Sequence, residues 1–169
     1  MNHGIFVGLL LMTSLVVGTA TAEERFTKNG WNYIQLDDPF DDSHRAIVVK
    51  LESSENGVVV KCDKQGRDSL YIGFLTNNYI GSSSSRRSDA KIRVDKNQVI
   101  ESKITPDGRY AYIFDDGVTE KVLREMIAGE EVFFRVITFD YEYADAKVDL
   151  RGAKEAITWV NEKCQASML

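Results

Sequence analysis

Histidine and cysteine are scarce in this chain. There are two of each in 169 residues, and one of the histidines, His3, sits in an apolar amino-terminal stretch. If that stretch is removed, a Ser-His or Cys-His nucleophilic mechanism has only His44 to run through. His44 follows Ser43 in a segment of turn-forming residues, which is not a spacing that brings a ring nitrogen to a hydroxyl, and no G-x-S-x-G occurs. An exposed turn histidine is the plainer expectation. Two thiolates also fall short of the ligands that zinc wants. Basic residues are not in excess: 21 Lys and Arg face 26 Asp and Glu, for a net charge of −5. That balance argues against a nucleic-acid partner, which calls for a basic stripe. The apolar run Ile5 to Val17 is well short of the roughly 20 residues that span a bilayer.

That short run ends in Ala20-Thr21-Ala22 before Glu23. An apolar segment of this length followed by small-x-small is the pattern of a cleaved secretory signal peptide, although this one carries no Lys or Arg ahead of it. The expectation is therefore a leader over residues 1–22 and a single domain over residues 23–169. The product would be periplasmic or secreted, without a stable membrane anchor after cleavage. The leader contains no charged side chain, so the remainder keeps the whole net charge. Its aromatic and β-branched content argues against disorder. Export would place Cys62 and Cys164 in an oxidising compartment, where an even cysteine count implies a disulfide. Closing a loop of about 100 residues stabilises a fold by roughly 2–5 kcal/mol. Two buried free thiols are the alternative.

The rest of the chain is patterned mainly as strands. Trp31 to Leu36 alternates apolar and polar residues, and Asp37 to Ser43 then reads as a turn. Arg45–Leu51 and Val58–Cys62 form a hairpin around Ser53–Gly57. Further strands are expected at Ser69–Leu75, Ala90–Asp95, Arg109–Phe114, Val132–Tyr141 and Lys147–Leu150. Two helices are expected. One is capped by Thr119 and runs to about Ala128, where Gly129 stops it. The other begins after Gly152 and aligns Ala153, Ala156, Ile157, Val160 and Cys164 on one apolar face. Cys164 would then face the core from the last turn, and a bond to Cys62 would pin the terminal helix to the sheet. The class is α+β: a mainly antiparallel sheet or small β-sandwich of about six to eight strands, with two packed helices, one of them C-terminal.

Candidate chemistry is sparse. The run Asp37, Asp38, Asp41 and Asp42 could bind calcium, but it lacks EF-hand spacing and reads better as a solvated turn. Close carboxylate pairs could serve a small cell-wall hydrolase, and no pair stands out. Arg86 and Arg87, within the serine-rich loop Gly81–Ser88, and the aromatics Trp31 and Phe40 are the candidate interaction surface, because such side chains anchor interfaces. No catalytic residue, metal or cofactor is expected.

Several elements in order resemble a family of periplasmic accessory proteins associated with type VI secretion systems. They are Trp31, Asp38-Pro39-Phe40-Asp41-Asp42, the strand ending in Cys62, Leu70-Tyr71-Ile72, Arg93-Val94-Asp95, and the tail D-L-R-G-A-K-E-A-I-x-x-V-x-x-x-C from Asp149 to Cys164. The resemblance implies a non-enzymatic module of a cell-envelope assembly, with another envelope or secreted protein as partner. An exported inhibitor or phage exclusion factor is a second expectation, and a carboxylate-dependent cell-wall hydrolase a third.

Overall fold

The computed structural model describes residues 23–38, 40, 43–62, 69–84 and 88–169. The expected leader, Pro39, Asp41, Asp42, the segment 63–68, Ser85 and the Arg86-Arg87 pair lie outside the described residues. Among the described residues, ten strands and two helices follow one another: β1 (Glu23–Lys28), β2 (Trp31–Asp38), β3 (Ser43–Leu51), β4 (Gly57–Lys61), β5 (Tyr71–Leu75), β6 (Ser88–Val94), β7 (Ile100–Asp107), β8 (Tyr110–Ile113), α1 (Asp116–Ala128), β9 (Glu131–Ile137), β10 (Tyr143–Asp149) and α2 (Ala153–Lys163). Every pairing is antiparallel, and the strands form one open sheet in the order β1-β2-β3-β4-β5-β8-β7-β6-β9-β10.

Strand β7 makes the sheet's corner. Ile100–Ile104 pair with β6, while Thr105–Asp107 pair with β8. A strand that changes partners partway along bends the surface it belongs to. The two halves consequently face each other, and the rings of Phe74 on β5 and Phe134 on β9 stack with centroids 4.4 Å apart. Alternation then sorts the side chains. Val58, Val60, Ile72 and Ile113 from one half meet Ile92, Ile104, Val132 and Val148 from the other in a single buried core. Helix α1 contributes Val122, Leu123 and Met126 to that core, and α2 contributes Ala153, Ala156, Ile157 and Val160.

Both cysteines are joined, Cys62 to Cys164, with Cα atoms 6.0 Å apart and a separation of 102 positions in sequence. The bond ties the end of α2 to the end of β4. At the other end of α2, Gly152 has φ +82°, and a Cβ there would lie 2.7 Å from the Cβ of Asn29. A side chain at Gly152 would therefore meet both backbone strain and a clash. The β1–β2 hairpin is fastened to the same turn. Lys28 pairs with Glu155, and the Asn29 side-chain amide donates to Glu155 at 3.2 Å.

The α+β architecture with a C-terminal helix is present, with ten strands rather than six to eight. Strands β1 and β7 were not anticipated. Glu23–Lys28 is polar because it is an exposed edge strand. In β7, Ser102 occupies an inward position and Pro106 lies in the strand, which made its end read as a turn. The strands flanking the acidic turn are longer than expected, so that Asp37 and His44 face each other across β2 and β3. The cap of α1 is Asp115, whose carboxylate accepts from the Val118 N–H at 2.9 Å. Thr119 is instead buried inside the helix, and its hydroxyl donates to the Ile113 carbonyl.

Candidate interaction surface

The structure separates the four residues proposed for a surface. Trp31 does not belong to one. Its side chain is fully buried, and its indole N–H donates to the Arg151 carbonyl at 2.9 Å. It points inward from β2 and is sealed by the turn into α2, so it acts as a structural anchor. Phe40, in contrast, is 92 % exposed. Arg86 and Arg87 lie outside the described residues.

His44 also differs from expectation. It sits in a strand, and its Nδ1 lies 2.5 Å from Asp37 Oδ1. The His44 hydrogen bond, followed by one from Gln35, holds the Asp37 carboxyl below its usual range. Asp37 is therefore committed to His44 and Gln35. Among the described residues, no group of three or more His, Cys, Asp or Glu is placed to hold a metal ion.

A different place gathers exposed aromatic side chains: the turn between β9 and β10. Phe139 is 60 % exposed, Tyr141 81 % and Tyr143 70 %. Tyr79 is exposed beside them, with its ring against Phe139 at 5.9 Å and its carbonyl accepting from the Phe139 N–H. Thr138 builds the turn. Its N–H donates to the Glu142 carbonyl at 2.8 Å, its carbonyl accepts from Tyr141 at 3.1 Å, and its hydroxyl accepts from the Glu142 N–H at 3.2 Å. A three-residue hairpin loop of this type places its last residue in the left-handed region, a position that suits glycine. Here that residue is Tyr141, at φ +65°. A bulky residue in this conformation costs about 1–2 kcal/mol, and strain of this kind is characteristic of functional sites.

This strain gives a direct expectation. Tyr141→Gly should leave the fold intact and raise its stability by up to about 1 kcal/mol, read as a shift in the denaturant midpoint. A loss of stability instead would mean that the tyrosine ring is there for packing.

The remaining surface divides in two. The outer face of the β6, β9 and β10 half is a ladder of cross-strand ion pairs. Lys91 meets Glu101 at 3.4 Å, Lys103 pairs with Asp89, Lys147 with Glu131, and Arg135 grips Asp145 through two bonds of 2.6 Å. The outer face of the other half carries Tyr110, Tyr112 and Phe114 in a row, with Lys61 over the Tyr112 ring at 4.7 Å. Gly73 lets Tyr112 lie against the sheet, because a Cβ there would sit 2.6 Å from its ring. Burial, aided by the neighbouring Tyr110, pushes the Tyr112 hydroxyl up to about 12.

Among the described residues, three carboxyls are held low by partners: Asp37 by His44, Asp145 by Arg135 and Asp149 by Arg151. A depressed folded-state value means that the stabilisation is present above the ordinary value of 3.8 and is lost as pH falls through the depressed one. Acid unfolding should therefore set in below pH 4. The Asp145→Asn variant should lose less stability than the parent over that interval, as measured by thermal midpoints across the acid range.

Together, these features define a β-rich, disulfide-stapled domain that clusters four exposed aromatic side chains, Tyr79, Phe139, Tyr141 and Tyr143, at a hairpin tip. No family model and no curated protein matches the chain. Its fold is similar to that of invasion-associated protein B from Bartonella henselae, known from a crystal structure. The TM-score is 0.55 at 16 % identity, over 82 % of this chain and 96 % of that one. The disulfide suggests an oxidising, extracytoplasmic environment. Among the described residues, no helix is long and apolar enough to cross a membrane.

Proposed function

We propose that this protein is an exported, non-enzymatic binding module that engages another envelope or secreted protein through the tip of the β9–β10 hairpin. The observation that carries this reading is the set Tyr79, Phe139, Tyr141 and Tyr143, exposed together around a turn whose last loop residue, Tyr141, occupies a glycine-type conformation. Aromatic anchors of this kind dominate protein interfaces, and Asp140 and Glu142 between them favour a partner pocket with a basic rim. Export is supported by the joined cysteines and by the leader pattern at residues 1–22. The type VI resemblance and a fold neighbour named for invasion are both compatible with work at the cell boundary, and a secretion-associated envelope assembly is the setting proposed.

The mature chain, immobilised as bait, tests the reading against envelope extracts of the producing cell. A discrete protein should be retained by the parent and lost with the Phe139→Ser/Tyr141→Gly variant, while the variant bait unfolds at a thermal midpoint no lower than the parent's. Recovery of the same proteins by both baits, or of none by the parent, would overturn it.

A further inference from the structure

The outer face of the β6–β9 half holds two adjoining depressions of about 530 and 550 Å³. Lys91 and Arg135 line both, so the two form one trough. One end opens at Ile137 and Tyr143, beside the aromatic hairpin tip. The other end is floored by Phe133 and Val99, both partly exposed apolar side chains. The volumes lie within the range of ligand-sized clefts.

The charge along the trough is uneven. Lys91, Lys103, Arg135 and Lys147 are each answered by a carboxylate across the strands. At the far end, Arg93 and Lys96 make no ion pair among the described residues; Arg93 donates only to the Lys96 carbonyl, at 3.2 Å. Asp95, which lies between them in sequence, is turned to the backbone N–H groups of Glu130 and Glu131 at 2.9–3.1 Å. Two cations without an ion-pair partner thus flank an apolar floor, with the Asp95 carboxylate lining the same depression, in a chain whose net charge is −5. A cation left without a partner beside exposed apolar surface is complementary to a carboxylate with a neighbouring apolar side chain.

We infer that the trough seats an extended acidic–apolar segment of a protein partner, its carboxylates on Arg93 and Lys96 and an apolar side chain on Phe133 and Val99. This inference rests on the binding-module reading and adds the chemistry of the segment. The occupant continues from the hairpin tip, which would grip the partner's basic-rimmed pocket, onto the sheet face. Recognition is therefore dipolar: an acidic aromatic tip and a basic trough meet a partner of the opposite arrangement.

The test is selection of a random-peptide display library on the full mature chain, followed by affinity measurement of the enriched peptides. The expected result is enrichment of Asp or Glu spaced with Leu or Phe. Their binding should weaken about tenfold or more with Arg93→Glu/Lys96→Glu, weaken likewise with Phe133→Ser, and fall as salt is raised. Enriched peptides without acidic bias, or binding indifferent to the Arg93 and Lys96 changes, would overturn the inference. The Phe139→Ser/Tyr141→Gly variant separates the two readings. Peptides lost on that variant but kept on the Arg93→Glu/Lys96→Glu protein refute the trough and leave the tip. Concentration-dependent self-association abolished by Arg93→Glu/Lys96→Glu would make the occupant a second copy of this acidic chain and refute a foreign partner.

Discussion

Replacing Cys62 and Cys164 by serine is expected to lower the free energy of unfolding by about 3–5 kcal/mol, because the bond closes a loop of 102 positions. For a domain of this size that corresponds to a drop of roughly 6–15 °C in the thermal midpoint. The bond also has a local consequence. Cys62 follows β4 and Cys164 follows α2, so the bond holds the helix at the end opposite to the Lys28–Glu155 pair. Without it, α2 keeps its apolar face but is fastened only at its amino-terminal end. Amide exchange should accelerate first at Asn161–Cys164. A loss under about 1 kcal/mol would mean that packing of Ala156, Ile157 and Val160 already fixes the helix without the staple.

Trp31→Ala should cost about 3–5 kcal/mol, in the range for large-to-small changes at fully buried aromatic positions. Two effects add. The indole leaves a cavity under the β1–β2 hairpin, and the Arg151 carbonyl loses its donor at the entry to α2. Trp31→Phe separates them, since it keeps an aromatic ring and removes the N–H; its hydrogen-bond share should be about 1 kcal/mol. Equilibrium denaturation of both variants checks the division. A Trp31→Ala protein as stable as the parent would show that Trp31 is not the anchor described here.

These two residues also show what the sequence made legible. Cys164 was placeable because five residues at helical spacing defined the apolar face of α2, and a face of that kind has to pack on the core. Trp31 was misread as surface for the same general reason that makes tryptophan informative: it anchors both cores and interfaces, and strand alternation does not say which side faces solvent. Strand β1 was invisible because an edge strand needs no apolar face, and Phe26, stacked on Tyr33, is its one large apolar contact. Strand β7 was hidden by Ser102 and Pro106.

The hairpin tip was missed through a boundary error. Val132 to Tyr141 read as one long strand, which consigned Phe139 to a strand interior. The strand ends at Ile137, and the buried Thr138 begins the turn. From Phe139 to Tyr143 aromatic and acidic residues alternate, which is the pattern of a half-buried strand and so extended the strand through the turn. The trough could not be read at all. It depends on Lys91, Glu101, Arg135 and Asp145 cancelling one another across strands while Arg93 and Lys96 stay uncancelled, and that pattern exists only once the register is set.

Site-specific photocrosslinking in the producing cell tests the central claim most directly. A photoreactive amino acid would be placed in turn at Tyr141, at Tyr143 and, as a control, at Lys154 on the exposed side of α2. One adduct of defined mass is expected from positions 141 and 143, absent from position 154. Adducts from position 154 alone, or none from the hairpin, would contradict it.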